Sequence, residues 1–126
     1  MKLRGVTVDT GFLMAIERSK QRAIELTALA GTRGIRFTLP VAVLAEWWRD
    51  GKHQGHYLKA FAIEHMTDRL AKSAGEAIAA VPGATVVDAI VMASATQRDD
   101  VVYTTDFEDL SRLRDQHFRG VRVLGV

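Results

Sequence analysis

Val101-Val102-Tyr103-Thr104, followed by Thr105 and Asp106, is a short β-branched and aromatic run that closes on a carboxylate. Val6-Thr7-Val8-Asp9 repeats the pattern near the start of the chain. Each run reads as a buried strand, because short apolar runs of this composition suit a sheet covered on both faces. Elsewhere the period is helical. Phe12 to Ile16 starts one helix, Ala23 to Ala30 forms a second that ends at Gly31 or Gly34, and Asp88 opens the apolar helix of Ala89 to Ala93. Ile35 to Thr38 is a further strand, and Pro40 sits in the first turn of a helix carrying Val43, Leu44, Trp47 and Trp48. The remaining pattern predicts helices over roughly 55–66, 68–80 and 107–115, a strand stub at Thr85-Val86 and a last strand at Val121 to Leu124. Strands alternating with helices imply right-handed crossovers and a small parallel sheet between two helical layers, an α/β/α sandwich.

The chain has 126 residues, and no linker, repeat or low-complexity run divides it, so residues 1–126 are expected to form one domain. It lacks cysteine, which excludes a disulfide framework, a thiolate metal site and a cysteine nucleophile, and any catalytic metal would need oxygen or imidazole ligands. No stretch approaches the ~20 apolar residues that span a bilayer, and the N-terminus lacks the apolar core of a signal peptide. A soluble protein of the reducing cytoplasm is expected, with no membrane partner. The formal net charge of +2 conceals an uneven distribution: residues 18–72 carry +5, residues 73–110 carry −6 and residues 111–126 carry +3. Twelve of the 17 basic residues are Arg, whose planar fork suits phosphate.

In open parallel sheets, ligands bind at the carboxyl ends of the strands. Asp9 and Asp106 follow their strands directly and therefore share that edge. Asp88 stands before an apolar helix, and Glu46 lies within one beside Trp47. Asp9, Asp88 and Asp106 each have a structural reading as a helix cap or turn residue, and Glu46 one as an exposed helix position. Together they suggest more, because converging carboxylates repel and raise one another's pKa unless a cation joins them. Mg²⁺ or Mn²⁺ is the fitting ion, being hard and oxygen-seeking, and clustered acids of this kind serve phosphoryl chemistry.

In this order the motifs Val8-Asp9-Thr10, Leu39-Pro40-Val41-Ala42-Val43-Leu44-Ala45-Glu46, Val87-Asp88-Ala89-Ile90-Val91-Met92-Ala93 and Tyr103-Thr104-Thr105-Asp106 resemble a PIN domain, most closely the small VapC-type toxin ribonucleases. The resemblance extends over essentially the whole chain, with the four acids separated by 37, 42 and 18 positions. It implies that Asp9, Glu46, Asp88 and Asp106 form the catalytic metal site. Thr10 corresponds to the hydroxyl residue after the first acid and Thr105 to the one before the last, both as supporting groups. It further implies metal-dependent cleavage of RNA and inhibition by a cognate antitoxin. Asp109 is either an auxiliary acid or a surface residue.

Other residues offer less. His53 and His56 fall in a Gly-flanked turn and read as surface residues, while His65 and His117 are isolated. Ser19, Ser73, Ser94 and Ser111 lack a nucleophile elbow, and Gly31-Thr32-Arg33-Gly34 is not followed by the Lys-Ser/Thr of a phosphate-binding loop. Trp47 and Trp48 cannot both face one core, and with Val43, Leu44, Tyr57, Leu58, Phe61 and Ile63 they predict an apolar surface for a second copy of the chain and for the antitoxin. Two alternatives stand beside the nuclease: an RNA- or protein-binding module without activity, and an aspartate-dependent phosphatase-like domain. The second is weakened by Gly11, where such phosphatases carry another Asp.

Overall fold

A computed structural model describes residues 4–126. In chain order the elements are β1 (Val6–Val8), α1 (Thr10–Glu17), α2 (Gln21–Arg33), β2 (Phe37–Pro40), α3 (Val41–Trp47), α4 (Gly51–Gln54), β3 (Ala62–Glu64), α5 (Asp68–Ala80), α6 (Val86–Arg98), β4 (Val101–Thr104), α7 (Phe107–Gln116) and β5 (Arg122–Gly125). The strands form one all-parallel sheet in the order β3-β2-β1-β4-β5. From β1 the chain first moves outward to β2 and β3, then returns across the sheet to β4 and β5. Right-handed crossovers therefore put α1 to α4 on one face and α5 to α7 on the other. Most helix contacts divide the same way, α1 packing on α2 and α3, and α6 on α5 and α7, while α3 also meets α6. This is the three-layer α/β arrangement expected, and its strand order reverses between β1 and β4.

The two layers differ in kind. On the α1 side Phe12, Phe37 and Tyr103 meet with ring centroids 5.8–6.0 Å apart. On the other side α6 is buried without a break from Ala89 to Ala95, as a helix must be that lies between two helices and a sheet. Small side chains dominate there and let α6 approach the strands closely.

One sequence expectation narrows and three change. The second helix ends at Gly34, which takes φ +67°, a conformation that glycine adopts without the steric cost of a Cβ. The second strand runs to Pro40 itself, whose ψ of 141° is extended, so α3 starts one residue later. The helix predicted over 55–66 does not form. A 3₁₀ helix over Gly55–Ala60 gives way to β3, because pairing of Ala62, Ile63 and Glu64 with Thr38, Leu39 and Pro40 overrides a weak helical period. The strand stub at Thr85-Val86 is also absent. Thr85 is instead the N-cap of α6, its Oγ1 accepting from Asp88 N–H at 3.2 Å, so Asp88 is the third residue of that helix and not its cap.

One polar network crosses the apolar layer under α6. Thr7, fully buried in the central strand, donates to Asp100 at 2.9 Å and accepts from Arg98 at 2.7 Å. Arg98 also donates to Asp100, Ser94 and Glu64, and Ser94 donates to Glu64 at 2.5 Å. One guanidinium thus joins β1, the edge strand β3 and the turn before β4. Among the described residues no helix is long and apolar enough to cross a membrane.

Replacing Arg98 with Met should destabilise the fold by about 3 kcal/mol, since Asp100 and Glu64 would keep their charges in a partly dry layer without a partner. A denaturation midpoint close to that of the parent would show that the network contributes little.

Candidate metal centre

Three helices begin at the edge where the strand order reverses, and each supplies an acid. Asp9 leaves β1 and caps α1. Its Oδ1 accepts from Phe12 N–H at 2.8 Å and its Oδ2 from the Thr104 hydroxyl at 2.5 Å. Thr104, the last residue of β4, also accepts from Asp106 N–H at 2.7 Å. One buried hydroxyl thereby fixes the two acid-bearing strand ends against each other. Asp106 occupies the N-cap position of α7 without the well-formed cap bond that Asp9 makes, and its carboxylate lies beside Asp109. Asp88 lies in the first turn of α6 and Asp109 in the first turn of α7.

Carboxylate oxygens of Asp88, Asp106 and Asp109 all lie within 4.8 Å of one another. Asp109 is therefore a member of the centre and not a surface residue set apart from it. Its signal in the sequence is the spacing of three from Asp106, which stacks the two on one face once a helix starts between them. Asp9 lies beside this trio, buried at 4% exposure. Glu46, near the end of α3, stands at the rim, where its Oε1 accepts from the Thr10 hydroxyl at 2.5 Å. Thr10 thus contacts an acid directly. Thr105 does not enter the hydrogen bonds of the centre as Thr104 does, but packs against α1. A Cβ on Gly11 would come within 2.1 Å of its Oγ1, so glycine lets the first turn of α1 approach the loop after β4.

The carboxylates bear the marks of crowding. Asp9 has its pKa raised to about 6, first by burial and further by Asp88 and Asp106, against the opposing bonds from Thr104 and Phe12. Asp88 is also raised, by burial and then by Asp106, Asp109 and Glu46. Asp106 is raised by its partial burial and by Asp109 beside it. Converging acids of raised pKa, all oxygen donors, form a set that fits a hard divalent cation and excludes a soft one.

Beyond Glu46 a cavity of about 500 Å³ opens between α1 and α3, lined by residues that include Thr10, Met14, Glu17, Trp47 and His53. His53 is an exposed residue as expected, and it stands at the mouth of this cavity with its Nε2 3.5 Å from the Asp50 carboxylate. Glu17 is held there by the indole N–H of buried Trp47 at 2.5 Å. His56 stays outside, stacked on Tyr57.

No family model matches the sequence, and no curated protein matches it. Solved structures do. The chain superimposes on a chain of VapBC2 from Rickettsia felis bound to a promoter DNA fragment, with TM-score 0.74 and 12% identity over 96% of this chain and 98% of that one. DNA-bound VapBC from Salmonella typhimurium gives 0.76 and 14% over 98% of both chains. The chain has the VapC-type PIN fold. A toxin–antitoxin complex from Klebsiella pneumoniae matches with TM-score 0.68 and 18% identity over 95% of this chain and 96% of that one. Agreement of fold at such low identity leaves the chemistry to be argued from this chain's own residues.

Two consequences concern protons. An acid with a higher pKa in the folded than in the unfolded state binds its proton more tightly when folded, so metal-free stability should fall as pH rises from Asp9's ordinary 3.8 through about 6. For Asp9 alone the change is on the order of 3 kcal/mol. Stabilisation by Mn²⁺ should grow over the same range, because ligands must lose their protons to bind. Thermal melts in EDTA and in Mn²⁺ across this range would check both trends. In EDTA, Asp106→Asn should melt no lower than the parent and gain less from Mn²⁺, since it removes repulsion but no cap bond. A marked loss of metal-free stability would assign Asp106 a structural role.

Proposed function

We propose that this protein is a metal-dependent endoribonuclease, the toxin of a toxin–antitoxin pair. The convergence of Asp88, Asp106 and Asp109 beside buried Asp9 carries the reading, because nothing in the fold requires four carboxylates at one place. Asp9, Asp88 and Asp106 would hold Mg²⁺ or Mn²⁺, with Asp109 on the open side. When bound, such an ion lowers the pKa of water and neutralises charge developing on a phosphate.

The chain's own groups supply the rest. Thr104 keeps the Asp9 carboxylate in one orientation, and Thr10 does the same for Glu46. Glu46, at the rim and facing the cavity, orients the attacking water and takes its proton. Oxygen from water joins phosphorus as its proton passes to Glu46, the bond to the 3′ oxygen breaks, and that oxygen takes a proton from solvent water and leaves as a hydroxyl, giving a 5′-phosphate on the other fragment. The phosphatase alternative loses further ground at Gly11, because an acidic side chain there would collide with Thr105.

The apolar surface also supports a partner. Trp47 is buried, whereas Trp48 is half-buried and lines a groove of about 310 Å³ with Val41, Leu44, Ala45 and Leu58. We assign this groove to the antitoxin, an amphipathic segment being the form that fits it, and expect the toxin itself to be a homodimer. Phe61, expected on the same surface, packs instead on Phe37 at 6.2 Å.

Purified protein should cleave single-stranded RNA in Mg²⁺ or Mn²⁺ and stop in EDTA, and Asp88→Asn or Glu46→Gln should each lower the rate by about 100-fold or more. Undiminished cleavage by Asp88→Asn would overturn the site, and a parent without cleavage would leave a binding module. Trp48→Gln combined with Leu44→Gln should weaken antitoxin binding and leave the cleavage rate intact. An intact complex would move the antitoxin to another surface.

A further inference from the structure

Two cavities flank the carboxylate centre, and their charges differ. The one on the Glu46 side carries Glu17, Glu46 and Asp50 against the single cation Arg49, with His53 beside them. On the Thr105 side a second cavity, of about 300 Å³, runs along α1 from Gly11 past Met14 and Ala15 to Arg18 and Lys20. These two cations are its only charged lining groups. From Gly11 to Arg18 the helix axis covers about 10 Å, so the basic end lies roughly one Debye length from the acids. At that separation the cations do not neutralise the carboxylates and yet remain within reach of the next phosphates of a strand. Arg18 takes part in none of the ion pairs among the described residues. Lys20 donates to the Val126 carbonyl oxygen at 2.6 Å, which uses one of its three N–H donors and holds the ammonium in place.

A cluster of carboxylates repels an RNA backbone, so a nuclease built on one must take its affinity from the flanks. The Glu46-side cavity, with three acids against one Arg, is the poorer host for phosphate. We propose that the Thr105-side cavity is a phosphate subsite, in which Arg18 and Lys20 hold the backbone of single-stranded RNA as it leaves the carboxylate centre past Gly11 and Thr105. The inference rests on the nuclease reading and adds to it the path of the strand. Arg18 and Lys20 are positioning residues, since they touch a phosphate that does not react.

The test is the double variant Arg18→Gln, Lys20→Gln. KM for a single-stranded RNA oligonucleotide should rise about tenfold with kcat changed less than about twofold, and the dependence of log KM on log salt should become shallower by about one. Arg18→Lys with Lys20 intact should keep most of the affinity, as a point charge still pairs with phosphate. Unchanged KM and salt slope, or a loss of kcat at constant KM, would overturn the subsite. Fluorescence anisotropy with a labelled single-stranded DNA oligonucleotide in Mg²⁺ reads the same contact without RNA cleavage. If the parent cleaves no RNA but the double variant still loses oligonucleotide affinity, the nuclease reading fails and the subsite stands. If the parent cleaves and the affinity of the double variant is unchanged, the subsite alone fails, and the cavity belongs to another occupant such as an acidic protein segment.

Discussion

Repulsion among carboxylates at one sheet edge is the constraint around which this fold is arranged. Asp88, Asp106 and Asp109 approach within 4.8 Å, and Asp9 and Glu46 add their fields. Left in an apolar setting, such a group would have to take up protons or separate. The fold opposes this with helix N-termini: α1, α6 and α7 each begin at the centre, and the positive end of a helix dipole favours a carboxylate by about 0.3–1 kcal/mol. Backbone N–H groups left over at those termini serve the same end, as Phe12 N–H does for Asp9. These terms hold the acids together but do not return their pKa to the ordinary range, which leaves an electrostatic deficit that a cation would fill.

The Thr104 hydroxyl has the most economical part in this arrangement. It donates to Asp9 and accepts from the backbone of Asp106, so the ends of the neighbouring strands β1 and β4 are locked in relative height by one atom. Parallel pairing already sets Val8 opposite Tyr103, and the hydroxyl extends that register one step beyond the sheet, into the loop where the chemistry would lie. On the face beneath, Arg98 does comparable work through Thr7, Asp100 and Glu64. Polar groups in the central strand would be costly without partners, and in both places Thr is tolerated because each hydroxyl has both a donor and an acceptor role filled.

Much of this was legible in the sequence because strand and helix periods are strong where burial is complete. Val6 to Val8, Val101 to Thr104 and Ala89 to Ala93 lie in the core, and their elements match the reading. Asp9 and Asp106 are brought to one edge by topology alone, since the rule about strand ends needs only the strands, whereas Asp88 follows no strand and joins them in the sequence only through the resemblance. The 55–66 stretch was misread because its apolar residues are spaced ambiguously and its conformation is decided by a neighbour distant in the chain. Glu64 is drawn to the sheet by Arg98, 34 residues on, and Ile63 by pairing with Leu39. Asp109 stays open in the sequence for a related reason: its spacing from Asp106 puts the two on one helix face, but nothing local tells that Asp88, 21 residues earlier, meets them there.

Cap and ligand compete as explanations in the sequence, but the geometry at Asp9 makes them compatible. Its cap bond to Phe12 holds the side chain at the mouth of α1, and burial at that mouth raises its pKa. Asp106 shows the complementary case: it has the cap position without the cap bond, and its exposed carboxylate remains available to Asp88 and Asp109. One acid is therefore held from both oxygens, whereas the other lacks the cap bond. Were a cation bound as proposed, Asp9 would offer it a donor already fixed in place, and donors fixed beforehand cost no reorganisation when charge arrives.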